Sequence, residues 1–415
     1  MKRVVITGLG AITPLGNSIP ELWSALVEGK SGAAEITRFD HSKFKTHFAC
    51  EVKNFDPLNI LDRKEARKYD RFGLYGIAAA QEAMLDAAFN LENENTTRMG
   101  VIWSSGVGGI ETFEQEIEEF VTSDGTPRFN PFFITKFIPD MVAGAISIRY
   151  GLKGPNYSIS SACASSAHAI GEAFYQIRAG RADVIISGGS EAPITRGGVG
   201  SFNAMRALST RNDSPQTACR PFSASRDGFV LGEGAGCLVL EDYEHALNRG
   251  AKIYAEIVGA GMTADAYHIT APEPNGEGAS QVMINALKEG DLAVNDVDYI
   301  NAHGTSTPRG DIAEINAIKN TFGKHAFNLN ISSTKSMTGH LLGATGAVEA
   351  IACILALKNN IIPPTINHDE ADIDPEIDYN LNFTFNKAQK REINVALSNT
   401  FGFGGHNACL AFKKI

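Results

Sequence analysis

A chain of 415 residues with 43% hydrophobic and 20% charged residues is long enough to bury a large core, and its composition is that of an ordinary soluble α/β protein. The formal net charge of -10 argues against a general affinity for nucleic acid, whose phosphates require a basic surface. The six cysteines form no CxxC pair, so neither a zinc site nor a disulfide framework is indicated, and a reducing, cytoplasmic setting is expected.

The first predicted element is a strand over residues 4–9. This apolar run is too short for a signal peptide or a membrane span, and no later segment is expected to reach spanning length, so we expect no membrane insertion. The Gly8-Leu-Gly10 sequence that ends the run is not a dinucleotide site. Thr13 stands where the third glycine of that fingerprint belongs, and Pro14 interrupts the turn.

An internal resemblance predicts two similar halves. Residues 2–10 recur loosely as residues 252–261, so each half is expected to open with a strand that runs into a glycine loop. The halves also close alike, because residues 228–240 and 395–412 both have the pattern of strand, glycine-rich turn and strand. Apolar runs alternate with longer helical patterns, which favours an α/β fold of layered sheets with helices packed between them. The predicted halves are residues 1–250 and 251–415.

A cysteine lies where a predicted strand ends and a helix begins. The helical pattern covers residues 164–177, and Ser160 or Ser161 is able to cap it. The unpaired N–H groups and the dipole of a helix start favour a thiolate, so we expect Cys163 to have a lowered pKa and to act as a nucleophile. The alternative is that Cys163 is a small core residue like the other cysteines.

Two histidines follow predicted strands in the second half. His303 ends a strand and is followed by a hydroxyl-rich loop and a helix capped by Asp311, and His340 lies at another helix start, five residues after Lys335. Neutral imidazoles that donate N–H to a carbonyl oxygen would stabilise an enolate, so a Cys-His-His set suits carbanion chemistry on a thioester. The alternative is two satisfied polar residues beside turns. A metal site is disfavoured because no third ligand lies at metal-binding spacing.

Four motifs then stand in a fixed order along the chain. They are Ser161-Ala-Cys163-Ala-Ser-Ser166, Asn301-Ala-His303-Gly-Thr-Ser-Thr-Pro308, Lys335-Ser-Met-Thr-Gly-His340-Leu-Leu-Gly-Ala344 and Asn399-Thr-Phe401-Gly-Phe-Gly-Gly-His-Asn407. On these motifs the chain resembles β-ketoacyl-acyl-carrier-protein synthases over essentially its whole length, most closely the bacterial synthase II group. The resemblance implies a thiolase-like layered αβαβα fold, usually a homodimer, that performs a decarboxylative Claisen condensation in fatty-acid elongation. His340 in place of asparagine resembles the chain-elongating members.

The resemblance also implies roles for the catalytic residues. Cys163 would take an acyl group from the acyl carrier protein. His303 and His340 would support decarboxylation of malonyl-acyl carrier protein and hold the enolate oxygen, and Lys335 and Glu349 would organise these histidines.

Further contacts carry over from the same resemblance. Phe401 would gate the acyl pocket, and its backbone N–H and that of Cys163 would form the oxyanion hole. Thr305 and Thr307 would bind the phosphopantetheine arm that arrives on the acyl carrier protein, and no redox cofactor is required. The other implied substrate-binding residues are Val107, Phe202 and Phe403; Val107 is smaller than the isoleucine common in synthase II, so the preferred chain length stays open. The implied ligands of a structural Na+ or K+ are Asn301, Glu349, Ser398 and Asn399.

A basic cluster stands out on this acidic chain and predicts a docking surface. The cluster consists of Arg63, Lys64, Arg67 and Lys68, and together with Arg206 it matches the site where the family docks its acidic carrier protein. Exposed charges of this kind mainly raise the on-rate and set orientation. The alternative is a solvated helix face without a partner.

Three other functions compete with condensation. A non-catalytic partner subunit of the chain-length-factor kind resembles these synthases but lacks the cysteine, so Cys163 argues against it. A polyketide-type ketosynthase would keep the same catalytic residues. A cysteine hydrolase would need a wet pocket, and nothing in the sequence indicates one.

Overall fold

The computed structural model describes all of residues 1–415, in 14 strands and 13 helices. The strands are β1 (Val4–Ile12), β2 (Ala34–Glu35), β3 (Phe48–Ala49), β4 (Met99–Ser104), β5 (Asn156–Ile159), β6 (Val184–Glu191), β7 (Gly234–Asp242), β8 (Ala255–Ala264), β9 (Tyr299–Asn301), β10 (Asn330–Ser332), β11 (Ile361–Ile362), β12 (Gln389–Lys390), β13 (Val395–Gly402) and β14 (His406–Lys413). The helices are α1 (Ile19–Glu28), α2 (Arg63–Ala66), α3 (Arg71–Ala87), α4 (Ile110–Thr122), α5 (Phe133–Phe137), α6 (Met141–Tyr150), α7 (Ser165–Arg178), α8 (Arg196–Ala204), α9 (Tyr243–Asn248), α10 (Glu277–Glu289), α11 (Pro308–Phe322), α12 (Lys335–Thr338) and α13 (Thr345–Asn359).

The large sheet consists of two halves with the same topology. The first half has the strand order β1-β7-β6-β4-β5, and the second has the matching order β8-β14-β13-β9-β10. In each half the first two pairings are antiparallel and the last two are parallel. The halves join where residues 4–6 of β1 pair with residues 255–257 of β8. The prediction of two similar halves is therefore confirmed; the boundary after residue 250, in the loop between α9 and β8, stays a prediction.

Helices occupy three layers around this sheet. The central helices α7 and α13 pack on each other and, through one continuous hydrophobic cluster, on strands of both halves. A second cluster holds α3 and α6 against the outer face of the first half, and a third holds α10 and α11 against the second half. Three separate clusters divided by two half-sheets give the predicted αβαβα layering.

Glycines inside the opening strands set how closely the outer helices approach. Gly8 and Gly10 lie within β1, and Gly259 and Gly261 lie within β8, so the predicted glycine loops after these strands were wrong. A Cβ atom at any of the four would overlap the backbone of α3 in the first half or α10 in the second. The repeated glycines therefore let a helix backbone rest directly on the strand.

One of the two predicted closing hairpins was also wrong. Residues 395–412 form β13 and β14 as expected, but residues 228–233 form only isolated bridges ahead of β7. The partner of β7 is β6, which lies much earlier in the chain. Residues 228–233 instead bridge to loops of both halves, including a bridge from Leu231 to His340.

One segment does reach spanning length by composition, contrary to the expectation from the sequence. Residues Leu342–Asn359, which include α13, have a mean hydropathy of 1.3 over 18 residues. Since 89% of this segment is buried inside the protein, it is the core helix of the central layer.

The close packing of α3 on β1 gives a stability prediction. Gly10→Ala places a methyl group against the carbonyl of Ala79, and overpacking of this kind should lower the free energy of unfolding by about 1–3 kcal/mol. Gly144→Ala is the matched control: it lies in α6 with no atom within 4 Å of the added Cβ, so it should raise stability by about 0.5–1 kcal/mol. Urea denaturation of both variants tests this, and equal effects would contradict the packing argument.

Candidate active site

A single cavity of about 810 Å³ collects residues from both halves of the chain. Cys163 from the first half and His303 and His340 from the second half line its buried end. The other predicted residues that line the cavity are Val107, Phe202, Arg206, Thr305, Thr307, Phe401 and Phe403. The structure thus brings together side chains that lie far apart in the sequence.

The turn that carries Cys163 is fixed by unusual backbone geometry. Ala162 has a φ of 52°, a left-handed conformation that is costly for a residue with a side chain. The hydroxyl of Ser165 accepts the N–H of Ser161 at 2.8 Å and donates to the carbonyl of Ala162 at 2.6 Å. Neither Ser160 nor Ser161 caps α7, so that prediction was wrong. The turn places the thiol just before the first turn of α7.

Burial dominates the ionisation of this thiol. Burial raises the pKa of Cys163 to about 12, while the Lys335 ammonium and the backbone N–H of Phe403 act in the opposite direction. The expectation that the helix start would bring the pKa below its ordinary value was therefore wrong for the free protein. The resting form is a thiol, held beside groups that favour the thiolate.

His303 is positioned through its backbone. The carboxylate of Glu314 on α11 accepts the N–H of His303 at 2.8 Å and that of Gly304 at 2.7 Å. Burial lowers the pKa of His303 well below its ordinary value, and the charge of Lys335 lowers it further, so the imidazole is neutral. Its buried Nδ1 has no partner within the protein. A neutral ring with a free nitrogen can form a hydrogen bond with substrate.

His340 is held at both its ring and its backbone. Its Nδ1 lies 2.9 Å from the hydroxyl of Thr345, the first residue of α13, and its N–H donates to the carbonyl of Val230 at 2.8 Å. Burial, followed by the charge of Lys335, lowers its pKa well below the ordinary value. A hydroxyl that donates to Nδ1 leaves a proton on Nε2 for a hydrogen bond to substrate.

The two rings are close neighbours at the buried end of the cavity. The centroids of His303 and His340 are 5.4 Å apart, with the planes at 87°. Phe229 packs edge-on against His340 at 5.2 Å, and Phe401 packs against His303 at 5.5 Å. Sequence reasoning assigned no role to Phe229. The two aromatic rings flank the imidazoles at this end of the cavity.

An ion pair lies directly behind the histidines. The Nζ of Lys335 donates to Oε1 of Glu349 at 2.5 Å, and both side chains are almost fully buried. Burial raises the pKa of Glu349 to about 7. Neither residue lines the cavity, so the pair acts on the histidines and the thiol through its electrostatic field.

A further buried carboxylate was missed by sequence reasoning. Glu191, the last residue of β6, accepts the N–H groups of Gly106, Val107 and Gly343 at 2.7, 3.1 and 2.9 Å. It joins the Val107 wall of the cavity to the loop that follows His340. The only sequence signal was an acidic residue at the end of a strand that begins with three apolar residues.

Asp311 has a different role from the predicted one. Helix α11 begins at Pro308, one turn earlier than expected, with Thr307 at the N-cap position. The carboxylate of Asp311 in the first turn accepts the N–H groups of Ser306 at 3.1 Å and Phe222 at 2.8 Å. It therefore stabilises the hydroxyl-rich loop and does not cap the helix.

Four predicted ion-ligand residues lie together beneath the cavity. Asn301 of β9 pairs with Ser398 of β13, and Asn399 follows. Asn301 Oδ1, Ser398 Oγ, Asn399 Oδ1 and Glu349 Oε2 are all buried without a hydrogen-bond partner. Buried polar atoms are normally paired, so four unpaired oxygens from one predicted set fit the donors that a hard cation requires.

The basic cluster lies apart from the cavity. Arg63, Lys64 and Arg67 are exposed and have no carboxylate partner, whereas Lys68 pairs with Glu65 at 2.6 Å. None of the four lines the cavity, but Arg206 does. Three free cations therefore remain for a partner.

Comparison with known proteins places the chain in one family. Residues 1–246 match the family model for the beta-ketoacyl synthase N-terminal domain, and residues 254–369 match that for the C-terminal domain. The chain is 52% identical over 413 residues to the 3-oxoacyl-(acyl-carrier-protein) synthase 2 of Staphylococcus aureus, covering 100% of this chain and 98% of that protein.

Solved structures agree with this result. A beta-ketoacyl synthase from Burkholderia phymatum is 38% identical, with a TM-score of 0.92 and full coverage of both chains. A ketosynthase structure from a type II polyketide synthase, solved in complex with its acyl-carrier protein, is 34% identical with a TM-score of 0.90 over 100% of this chain and 99% of that one.

The raised pKa of Cys163 predicts its reactivity towards alkylation. Iodoacetamide reacts with thiolates, so the alkylation rate should rise about tenfold per pH unit from about pH 7 to about pH 9, without the plateau that a thiol reaches near its own pKa. Because Lys335 lowers this pKa, Lys335→Met should raise it and slow alkylation at every pH. The matched control is Lys324→Met, at an exposed lysine without a partner. Mass spectrometry of the Cys163 peptide follows the rate; equal rates in both variants would contradict the role of the Lys335 charge.

Proposed function

We propose specific roles for the cavity residues in this chain, which belongs to the beta-ketoacyl synthase family and condenses malonyl-acyl carrier protein with a bound acyl chain in fatty-acid elongation. Cys163 carries the acyl chain, and His303 and His340 stabilise the enolate. The observation that carries this proposal is the meeting of one thiol and two neutral imidazoles in a buried cavity.

Sequence identity favours the fatty-acid assignment over the polyketide alternative. Identity to the fatty-acid relative is 52%, against 34% to the polyketide ketosynthase, with full coverage of this chain in both cases. Cys163 argues against the non-catalytic partner subunit, because such a subunit would have no use for a thiol held at the start of a central helix.

In the first step the Cys163 sulfur attacks the acyl thioester that the carrier protein delivers. The C–S bond to phosphopantetheine breaks, and the phosphopantetheine thiol leaves with the proton. We propose that the N–H groups of Cys163 and Phe401 stabilise the oxyanion. The loop supports this placement, because a Cβ on Gly402 would lie 3.1 Å from the backbone nitrogen of Cys163.

In the second step malonyl-acyl carrier protein loses carbon dioxide. The electron pair of the broken C–C bond forms an enolate, whose oxygen accepts hydrogen bonds from His303 and His340. The enolate carbon then attacks the acyl carbonyl on Cys163, and the thiolate leaves as 3-oxoacyl-acyl carrier protein forms. Loss of carbon dioxide generates the nucleophile without a strong base, which suits imidazoles whose pKa values are well below the ordinary value.

We assign the rest of the cavity to substrate binding. Val107 and Phe202 would form the wall of the acyl pocket. Phe401, near the end of β13, and Phe403, in the glycine-rich turn that follows, would gate it. Thr305 and Thr307, whose hydroxyls are 3.0 Å apart, would bind the phosphopantetheine arm.

A structural monovalent cation is part of the proposal. Asn301, Ser398, Asn399 and Glu349 would hold Na+ or K+ through the unpaired oxygens described above. The positive charge would stabilise the ionised form of Glu349 and so strengthen its contact with Lys335.

A cytoplasmic homodimer is also proposed. β5 is the end strand of the sheet, and α4 and α5 expose apolar side chains, including Phe113 at 42% and Ile134 at 61%. An exposed strand edge and exposed apolar side chains each favour association with a second copy. The six free, buried cysteines are compatible with a reducing compartment.

Separate variants test the two chemical roles. Cys163→Ala should keep the fold but show no acyl loading, because the nucleophile is gone. His303→Ala and His340→Ala should still accept the acyl group but release carbon dioxide from malonyl-acyl carrier protein roughly 10²–10³-fold more slowly, as expected for loss of an oxyanion donor. Mass spectrometry measures loading and radiolabelled malonyl groups measure carbon dioxide. Full loading of Cys163→Ala would refute the nucleophile, and unchanged release in both histidine variants would refute the enolate role.

The basic cluster gives a partner prediction. Replacing Arg63, Lys64 and Arg67 with glutamate should raise the KM for acyl carrier protein substrates by about tenfold and spare short thioester mimics, since steering acts only on the acidic partner.

The matched control for this test has the same change in net charge. It replaces Lys324, Lys387 and Lys390, exposed lysines of the second half without carboxylate partners. Equal kinetics in the two triple variants would refute docking at the basic cluster.

A further inference from the structure

One segment lines the cavity from its buried end to its mouth. His303, Thr305, Thr307 and Arg309 all face the cavity, at every second position of the chain. Their exposure increases in the same order: His303 and Thr305 are buried, Thr307 is half-buried and Arg309 is exposed. The segment therefore presents an imidazole, two hydroxyls and a guanidinium in sequence along the entrance.

This segment is held rigidly from behind. Arg226, which is 5% exposed, donates to the carbonyls of Thr307 at 3.1 Å and Pro308 at 2.7 Å. Its guanidinium also pairs with Asp311 and Asp374. Ser306 is held in a left-handed conformation, with φ of 67°. The spacing of the four groups is thus fixed before substrate arrives.

Arg309 has no ion-pair partner among the charged groups at the mouth of the cavity. Arg309 forms no ion pair or side-chain hydrogen bond, and neither does Arg206, which lines the same cavity. The acidic groups there are engaged: Asp265 accepts from Asn407 at 2.6 Å, and Glu273 accepts the N–H of residue 277 at 2.9 Å. The guanidinium groups of Arg309 and Arg206 are therefore available to bind an incoming anion.

We propose that Arg309 binds the phosphodiester that joins the pantetheine arm to its carrier protein; this inference rests on the proposed function. The arm carries, in order, a thioester, two amides and a phosphate. The segment offers, in the same order, an imidazole, two hydroxyls and a guanidinium. Arg309 is thus a binding residue for the outer end of the arm, and it contributes affinity at a point remote from the reacting thioester.

Three substrates with the same acyl group separate the possible contacts of Arg309. They are the acyl thioesters of pantetheine, of 4′-phosphopantetheine and of the carrier protein, assayed with the wild-type protein and Arg309→Ala. We expect Arg309→Ala to raise the KM about fivefold for the two phosphate-bearing substrates and to leave the KM for the pantetheine thioester and every kcat unchanged. Arg309→Lys should restore most of the affinity.

Lys324→Ala is the matched control, because it removes one exposed, unpaired positive charge just beyond the end of α11. A KM increase for the carrier-protein substrate alone would mean that Arg309 contacts the carrier's surface, and would overturn the phosphate assignment. Equal increases for all three substrates, or none, would overturn it as well. Failure of the wild-type protein to use any of them would instead refute the proposed function, and this inference with it.

Discussion

A buried positive charge controls the chemistry of this cavity. Lys335 lies among apolar and polar core residues, with Glu349 as its ion-pair partner. Its field lowers the pKa of both histidines and opposes the effect of burial on the Cys163 thiol. Removing one partner of such a buried pair typically costs about 3–5 kcal/mol. This charge adds to the effect of burial that keeps the imidazoles neutral, and it also favours the thiolate, so one residue contributes to both halves of the reaction.

Buried carboxylates then fix the loops around that charge. Glu191, Asp311 and Glu314 each accept two or more backbone N–H groups from the segments that line the cavity. Burial raises the pKa of all three, and the hydrogen bonds oppose that effect. A carboxylate is suited to this role because its two oxygens can accept donors from separate segments. These hydrogen bonds thereby hold loops that lack the regular backbone pairing of helices and strands.

Sequence reasoning predicted the strands, helices and motifs that are set by local residue patterns. The strand before Cys163, the helix after it, the motifs around His303 and His340, and the repeated half could all be inferred from periodicity and resemblance. It did not predict Glu191 or Glu314, because an acidic residue in a strand or helix becomes informative only when its partners are known. The partner of β7 was also beyond local reasoning, since β6 precedes it by more than forty residues and residues 228–233 have a strand-like composition.

The Cys163 pKa shows why local rules fail at such a site. A helix start favours a thiolate when the thiol is near water, which supplies most of the solvation of the charge. Here Cys163 is buried, and burial outweighs the N–H groups of the turn. The same low-polarity surroundings strengthen the interaction of Lys335 with any charge that forms in the cavity. The resting thiol and the strong effect of Lys335 therefore have one common cause, the burial of both side chains between the two halves.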